Sequence, residues 1–210
     1  MIINPDDSPW ESIYKLMIGS IVPRPIGWIS TVNASGQPNL APFSFFNGVC
    51  ARPPHVLFCP MMRGTDLSPK DTLRNVRATG EFVANIVSES LKIQMNITST
   101  EFPAQINEFE AAGLTPAPSI IVSPPRVLES AVQYECKVVH IVDLGSDPGG
   151  GSVVIGRVVR IHVRDDVLMG LDKIDLEKLA PIGRLAGHSY CRLTDIFELV
   201  RPPFQIPPKP

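Results

Sequence analysis

The sequence predicts an antiparallel β-barrel with short helical insertions, folded as one domain over residues 1–210. Three observations predict it. At least six runs are rich in β-branched and aromatic residues. The helix-like stretches between them are too short and too unevenly placed for the alternation that a parallel βαβ sheet requires. Neither a low-complexity linker nor an internal repeat divides the chain. Proline and glycine number 22 and 15; this excess stays below the roughly 25–30% that marks disordered low-complexity sequence, so these residues punctuate a folded chain.

Ser8-Pro9-Trp10-Glu11 offers a capping residue, a proline at the first helical position and a glutamate three after the cap. Apolar Ile13, Met17 and Ile18 follow, and Gly19 closes this short amphipathic helix. Ile26 to Val32 reads as a strand, Asn33-Ala-Ser-Gly36 as its turn and Gln37 to Phe46 as a second extended piece, which together make a hairpin. His55 to Cys59 and Glu81 to Val87 are the next strands. Between them Ser68-Pro-Lys-Asp71 opens a helix with a second capping box, and Gly80 ends it. From Ser88 to Gly113 the pattern turns helical, with Leu91, Met95, Phe102, Ile106 and Phe109 as core contacts. Val127 to Asp143 and Ser152 to Val163 are long strands joined by a glycine-rich turn at 145–151. In the second, Arg157, Arg160, His162 and Arg164 change sides, which calls for a bend or bulge. Ser189 to Leu193 is a last strand-like piece. Five prolines among the final nine residues keep the tail at 201–210 out of any sheet and along a surface, across a partner subunit if there is one.

Composition narrows the function. A net charge of −2 with only 19% charged residues leaves no electrostatic footprint for nucleic acid. No stretch reaches the roughly 18 apolar residues of a membrane span, and Met1-Ile-Ile-Asn-Pro-Asp-Asp lacks the basic and apolar regions of a signal peptide. A cytoplasmic protein with no nucleic-acid or membrane partner is expected. Cys50, Cys59, Cys136 and Cys191 form no CxxC pair and read as buried small hydrophobes. No two of His55, His140, His162 and His188 have ligand spacing, so no metal site is expected. The P-loop, GxGxxG and GxSxG patterns are also absent.

Three segments put polar groups where an all-β domain has no need of them. Asn39-Leu-Ala41-Pro-Phe-Ser44-Phe45-Phe46-Asn47 crowds small, polar and aromatic residues at a strand end. Arg63 to Asn75, with Lys70, Asp71 and Thr72 at its centre, brings cations and hydroxyls to a helix start, where free N–H groups and the positive dipole end favour a phosphate. Gly183-Arg184-Leu-Ala-Gly187-His188-Ser-Tyr190 is the third. Each alone also has a plain structural reading: Ser68 as an N-cap, Lys70 and Arg74 as solvated cations, Asp71 as a dipole partner, Trp28 as core.

In this order, Pro23-Arg24-Pro25-Ile26-Gly27-Trp28-Ile29-Ser30-Thr31, the turn at Gly36, Pro38-Asn39-Leu40-Ala41-Pro42-Phe43-Ser44, Arg52-Pro53-Pro54, Lys70-Asp71-Thr72-Leu73-Arg74-Asn75 and Gly80-Glu81-Phe82-Val83-Ala84-Asn85 resemble the flavin reductase-like FMN-binding split barrel family. The resemblance runs over roughly residues 20 to 195. It implies a Greek-key split β-barrel and a homodimer with FMN in a groove at the subunit interface. It also implies that Trp28, Ile29, Ser30 and Thr31, with Asn39, Ala41, Ser44, Phe45 and Phe46, lie along the flavin ring and ribityl chain. Lys70, Asp71 and Thr72, with Arg63 beside them, would hold the phosphate. Arg184, His188 and Tyr190 would edge the site from the partner subunit or position a nicotinamide, and His162 is a weaker candidate for the latter.

The implied activity is that of an NAD(P)H:flavin reductase. Hydride passes from nicotinamide C4 to flavin N5, so the cofactor carries the chemistry and no side chain is required as acid or base. A flavoredoxin-like electron carrier and a non-catalytic FMN-binding protein are the alternatives on the same barrel. A relation to the pyridoxamine phosphate oxidases comes third, since only Arg201 precedes the proline tail where an arginine-rich ending would be needed. The chain departs from many relatives at Asp147-Pro-Gly-Gly-Gly151, which offers no ring to press on a nicotinamide.

Overall fold

The computed structural model describes residues 1–203. Helix α1 (Trp10–Ser20) leads into β1 (Gly27–Val32), β2 (Pro38–Phe43), β3 (Phe46–Ala51) and β4 (Pro54–Phe58). Then come α2 (Asp71–Thr79), β5 (Glu81–Ile86), α3 (Lys92–Ile97), α4 (Glu108–Ala111) and the two-residue strands β6 (Pro116–Ala117) and β7 (Arg126–Val127). The long β8 (Val132–Asp143) and β9 (Ser152–Val163) are followed by β10 (Leu168–Met169), β11 (Lys173–Ile174), α5 (Leu176–Leu179) and a closing hairpin of β12 (Ile182–Arg184) and β13 (Tyr190–Arg192). No helix among the described residues is long and apolar enough to cross a membrane.

Seven strands form one antiparallel sheet in the order β2-β1-β5-β8-β9-β4-β3. Its two outermost strands are consecutive in the chain, and only Ser44 and Phe45 separate them. Three residue steps span at most about 11 Å, so the sheet must curl until its edges meet at that end. No ladder joins β2 to β3 along the seam. The result is a split barrel, as predicted.

Alternation along β1 divides its side chains between two cores. All six of its residues are buried. Ile29 enters the barrel with Phe43, Phe46, Phe58, Phe82 and Val154, where Leu73 and Val76 of α2 close one end. Trp28 faces the other way, into a core with Leu40, Met95 and Phe109, and its indole N–H donates to Thr98 Oγ1 at 2.8 Å. The β8–β9 register slips twice, between Glu135 and Cys136 and between Val138 and His140. The first slip leaves Val159 unpaired within the polar stretch of β9 and is the predicted bulge; the second leaves Val139 of β8 unpaired and was not predicted.

Several details differ from the sequence reading. Neither predicted capping box forms: α1 starts from Pro9 and α2 from Lys70, both without a side-chain cap, and Ser8 Oγ donates instead to the Asn4 carbonyl. Pro9 and Lys70 are themselves extended, at ψ 133° and 153°, so α1 begins one residue and α2 two residues later than the serines as caps would place them. α1 also runs past Gly19 to Ser20. Gly80, at φ +70°, does end α2 as a left-handed cap. Between Ser88 and Gly113, Leu91, Met95 and Phe109 are buried as expected, whereas Ile106 is exposed and Phe102 only half-buried. Of the cysteines only Cys136 is buried; Cys59 and Cys191 are half-buried and Cys50 is exposed. Residues 193–203 form neither helix nor strand and are exposed, and the rest of the proline tail lies outside the described residues.

Behind the loop at 118–125, Glu135 of β8 is fully buried. It accepts hydrogen bonds from the backbone N–H groups of Ile120 (2.8 Å), Ile121 (2.6 Å) and Val122 (3.2 Å), and lies 2.6 Å from His162 Nε2. Burial pushes its carboxyl pKa up, but the amides and His162 more than reverse this and hold it below the ordinary value of 4.5. Its contribution to stability is therefore complete above that value and is lost as pH falls through the depressed one. Thermal midpoints should drop on acidification from about pH 4.5 downward, and Glu135→Gln should flatten that slope at a lower plateau.

Candidate functional site

The head of α2, the end of β2, the 98–102 segment after α3 and the β12–β13 hairpin converge on one groove. Its wide part, about 700 Å³, is lined by Tyr14 of α1, Arg24, Ser44, Lys70, Arg184 and His188, among others. That is within the range of small-molecule and cofactor sites. Pro42, Lys70 and Ser99 continue into a narrow corner of about 50 Å³ between β2 and α2.

Asn39 organises the corner. Its Oδ1 accepts from Thr72 Oγ1 (2.9 Å) and Thr31 Oγ1 (3.4 Å), while its Nδ2 donates to Glu108 Oε1 (2.7 Å). The second Glu108 oxygen accepts from the Leu40 N–H at 3.1 Å. Burial nevertheless leaves the Glu108 carboxyl above its usual pKa. Asp71 pairs with both Arg63 and Arg74, so its carboxylate positions cations rather than meeting a phosphate itself. Arg63 Nε is buried with no hydrogen-bond partner. Lys70 Nζ is 3.9 Å from Glu101 Oε1, too far for a hydrogen bond. Burial pushes the Lys70 pKa down, Glu101 opposes this, and Arg63 adds to it. The corner thus contains two cations with unspent donors, beside the first N–H groups of α2, which have no partner within the helix.

Of the residues singled out in the sequence, Asn39, Ala41, Ser44, Arg63, Lys70, Asp71, Thr72, Arg184, His188 and Tyr190 meet in this groove and its corner. The hairpin residues reach the groove of their own chain. The others lie elsewhere. Trp28, Ile29, Ser30 and Thr31 are fully enclosed, because β1 lies between β2 and β5 and is covered on both faces; this strand backs the site and presents no side-chain surface to it. Phe46 turns into the barrel against Gly27, where a Cβ would stand 2.5 Å from its ring. Phe45 lines a separate, largely apolar cavity of about 490 Å³ under α1, with Trp10, Met61 and Gly149. His162 is held by Glu135 and does not line the groove. The 145–151 loop packs against α1: Gly149, at φ +84°, sits where a Cβ would meet the Trp10 ring at 2.5 Å.

Arg24, Ser99 and Glu108 line the site and were not expected there. For Arg24 the available signal was a charged residue between two prolines in an otherwise apolar run; Glu108, with Asn107 and Glu110 beside it, gave no such signal. A model of the flavin reductase like domain matches residues 18–173. The chain belongs to the flavin reductase like family. A protein of Aquifex aeolicus, described as uncharacterized, is 44% identical over 182 residues, covering 87% of this chain and 90% of that one. Among solved structures, nitrilotriacetate monooxygenase component B from Bacillus cereus superposes with a TM-score of 0.89 at 38% identity, over 95% of this chain and 98% of that one. The 2-nitrobenzoate 2-nitroreductase of Pseudomonas fluorescens superposes with a TM-score of 0.84 at 30% identity, over the whole of both chains. Membership of the flavin reductase like family associates the chain with flavin-related oxidoreductase chemistry.

Proposed function

We propose that the chain is an FMN-dependent NAD(P)H:flavin oxidoreductase that works as a homodimer in the cytoplasm. The observation that carries this reading is the corner at the head of α2, where Arg63 Nε has no partner and Lys70 has no close one. Unspent cations beside a helix start suit a phosphate. A corner of about 50 Å³ at the end of the groove suits the terminal phosphate of a mononucleotide, which supports FMN. These residues therefore fit a phosphate-bearing flavin.

When bound, the flavin supplies the hydride-accepting ring. The chain's part is to anchor and orient. Lys70 and Arg63 would hold the phosphate, while Pro42 and Ser44 form the adjoining wall. Arg184 lies over the Tyr190 ring, 4.5 Å from its centroid, and has no carboxylate partner among the described residues. It is therefore free to receive the anionic part of a nicotinamide nucleotide. Large exposed side chains on and after α1 and on β3, including Leu16, Met17, Ile21 and Val49, support a homodimer, since such surface commonly marks an interface. The four free thiols agree with a reducing compartment.

Purified protein should quench FMN fluorescence on binding, and stopped-flow mixing with NADH or NADPH should bleach the bound flavin rapidly. Bleaching by dithionite but by neither nucleotide would identify an electron carrier instead. Failure to bind FMN would overturn the reading.

A further inference from the structure

Arg24 is only 4% exposed, yet its guanidinium reaches three separate segments. Nη1 donates to the carbonyls of Ile18 (2.8 Å) and Ile21 (2.9 Å), Nη2 to the Leu185 carbonyl (2.9 Å), and Nε to Ser44 Oγ (3.3 Å). Its backbone pairs with that of Arg184 in both directions, at 3.0 and 2.9 Å. The first two acceptors lie at the C-terminal end of α1, where carbonyls lack helical partners and the dipole is negative. Ser44 closes the seam between the sheet edges, and Leu185 begins the loop to His188. Ile18, Ser44 and His188 all line the groove, and so does Arg24.

Every one of these acceptors is neutral, and no carboxylate pairs with Arg24 among the described residues. A buried charge is costly, and a well-packed apolar residue commonly serves stability as well. A cation adds one thing that an apolar residue cannot, a fixed positive field at the groove wall. We infer that Arg24 is a positioning residue of the flavin groove, holding α1, Ser44 and the 185–188 loop in place while its charge biases the bound ring toward its electron-rich state. This inference rests on the flavin reading above. Reduction adds electrons to the ring, and a preorganised cation favours the state in which they are present.

The test compares Arg24→Gln and Arg24→Lys in the full-length chain, reading FMN affinity by fluorescence quenching and the midpoint potential of bound FMN against a reference dye. Arg24→Gln should weaken FMN by about tenfold to a hundredfold, the scale of a lost hydrogen bond to a charged group, and should lower the potential. Arg24→Lys keeps the charge but cannot span the same acceptors, so it should weaken FMN while leaving the potential near that of the wild type. A potential unmoved by Arg24→Gln, or lowered equally by both variants, overturns the inference. Should Arg24→Gln fail to fold, Ser44→Ala removes one anchor and leaves the charge in place. It should weaken FMN without moving the potential, and wild-type affinity there overturns the inference. A wild-type chain that binds no FMN overturns the flavin reading as well, whereas normal wild-type binding with unaffected variants overturns this inference alone.

Discussion

Lys70→Ala should weaken FMN binding by about 1.5–3 kcal/mol while leaving riboflavin almost unaffected. Lys70 stands at the start of α2 and makes no capping bond there, so its side chain is not needed to begin the helix. Its ammonium lies in the corner proposed for the phosphate, 3.9 Å from Glu101, desolvated enough for burial to lower its pKa. An entering phosphate would give it the close partner it lacks. Calorimetric titration with the two flavins isolates that contribution, because they differ only in the phosphate. An equal loss for both would show that Lys70 acts through the fold or the ring and not through the phosphate, and would overturn its role as the phosphate anchor.

Phe82→Ala should destabilise the fold by about 3–5 kcal/mol. Phe82 has no exposed surface and meets Phe58 edge-on, with ring centroids 5.1 Å apart. Its opposite side rests on Gly156, where a Cβ would stand 2.4 Å from the ring. Glycine carries no side chain that could fill the space, so the truncated site would keep its cavity. In a chain of this length the thermal midpoint should fall by on the order of 10 °C. Urea denaturation should show a lower midpoint with an unchanged slope. A loss under 1 kcal/mol would mean that the barrel collapses around the gap.

Much of the sheet was legible because its strands are apolar runs with clear ends. The hairpin of β1 and β2, β4, β5 and β9 lie close to their predicted limits, whereas the run predicted from Val127 to Asp143 is broken: Arg126–Val127 pair with β6 as β7, and β8 begins only at Val132. The break between β2 and β3 was not legible, because Pro42 to Phe46 carries no local stop signal and tertiary closure alone ends the first strand. The capping boxes do not form because the chain stays extended through Pro9 and Lys70, which the serine-proline pattern, itself a favoured helix start, does not reveal. Within the site, Asn39, Ser44, Lys70 and Thr72 stood out through residue type and order. Trp28 to Thr31 were over-read, since belonging to a motif does not bring a side chain to a surface when the strand is covered on both faces. Arg24 was under-read because its meaning depends on acceptors as far apart in sequence as Ile18 and Leu185, which no local pattern shows.

Ser44 and Phe45 form the bend that joins the two edges of the barrel; Ser44 lines the groove and Phe45 lines the apolar cavity under α1. The Arg24 guanidinium donates to Ser44 at 3.3 Å and lies 5.9 Å from the centre of the Phe45 ring. Two residues thus contribute to the walls of two separate cavities. Most connections in a protein absorb changes of length. A change of length in this one would disturb both cavities at once, together with the guanidinium beside them.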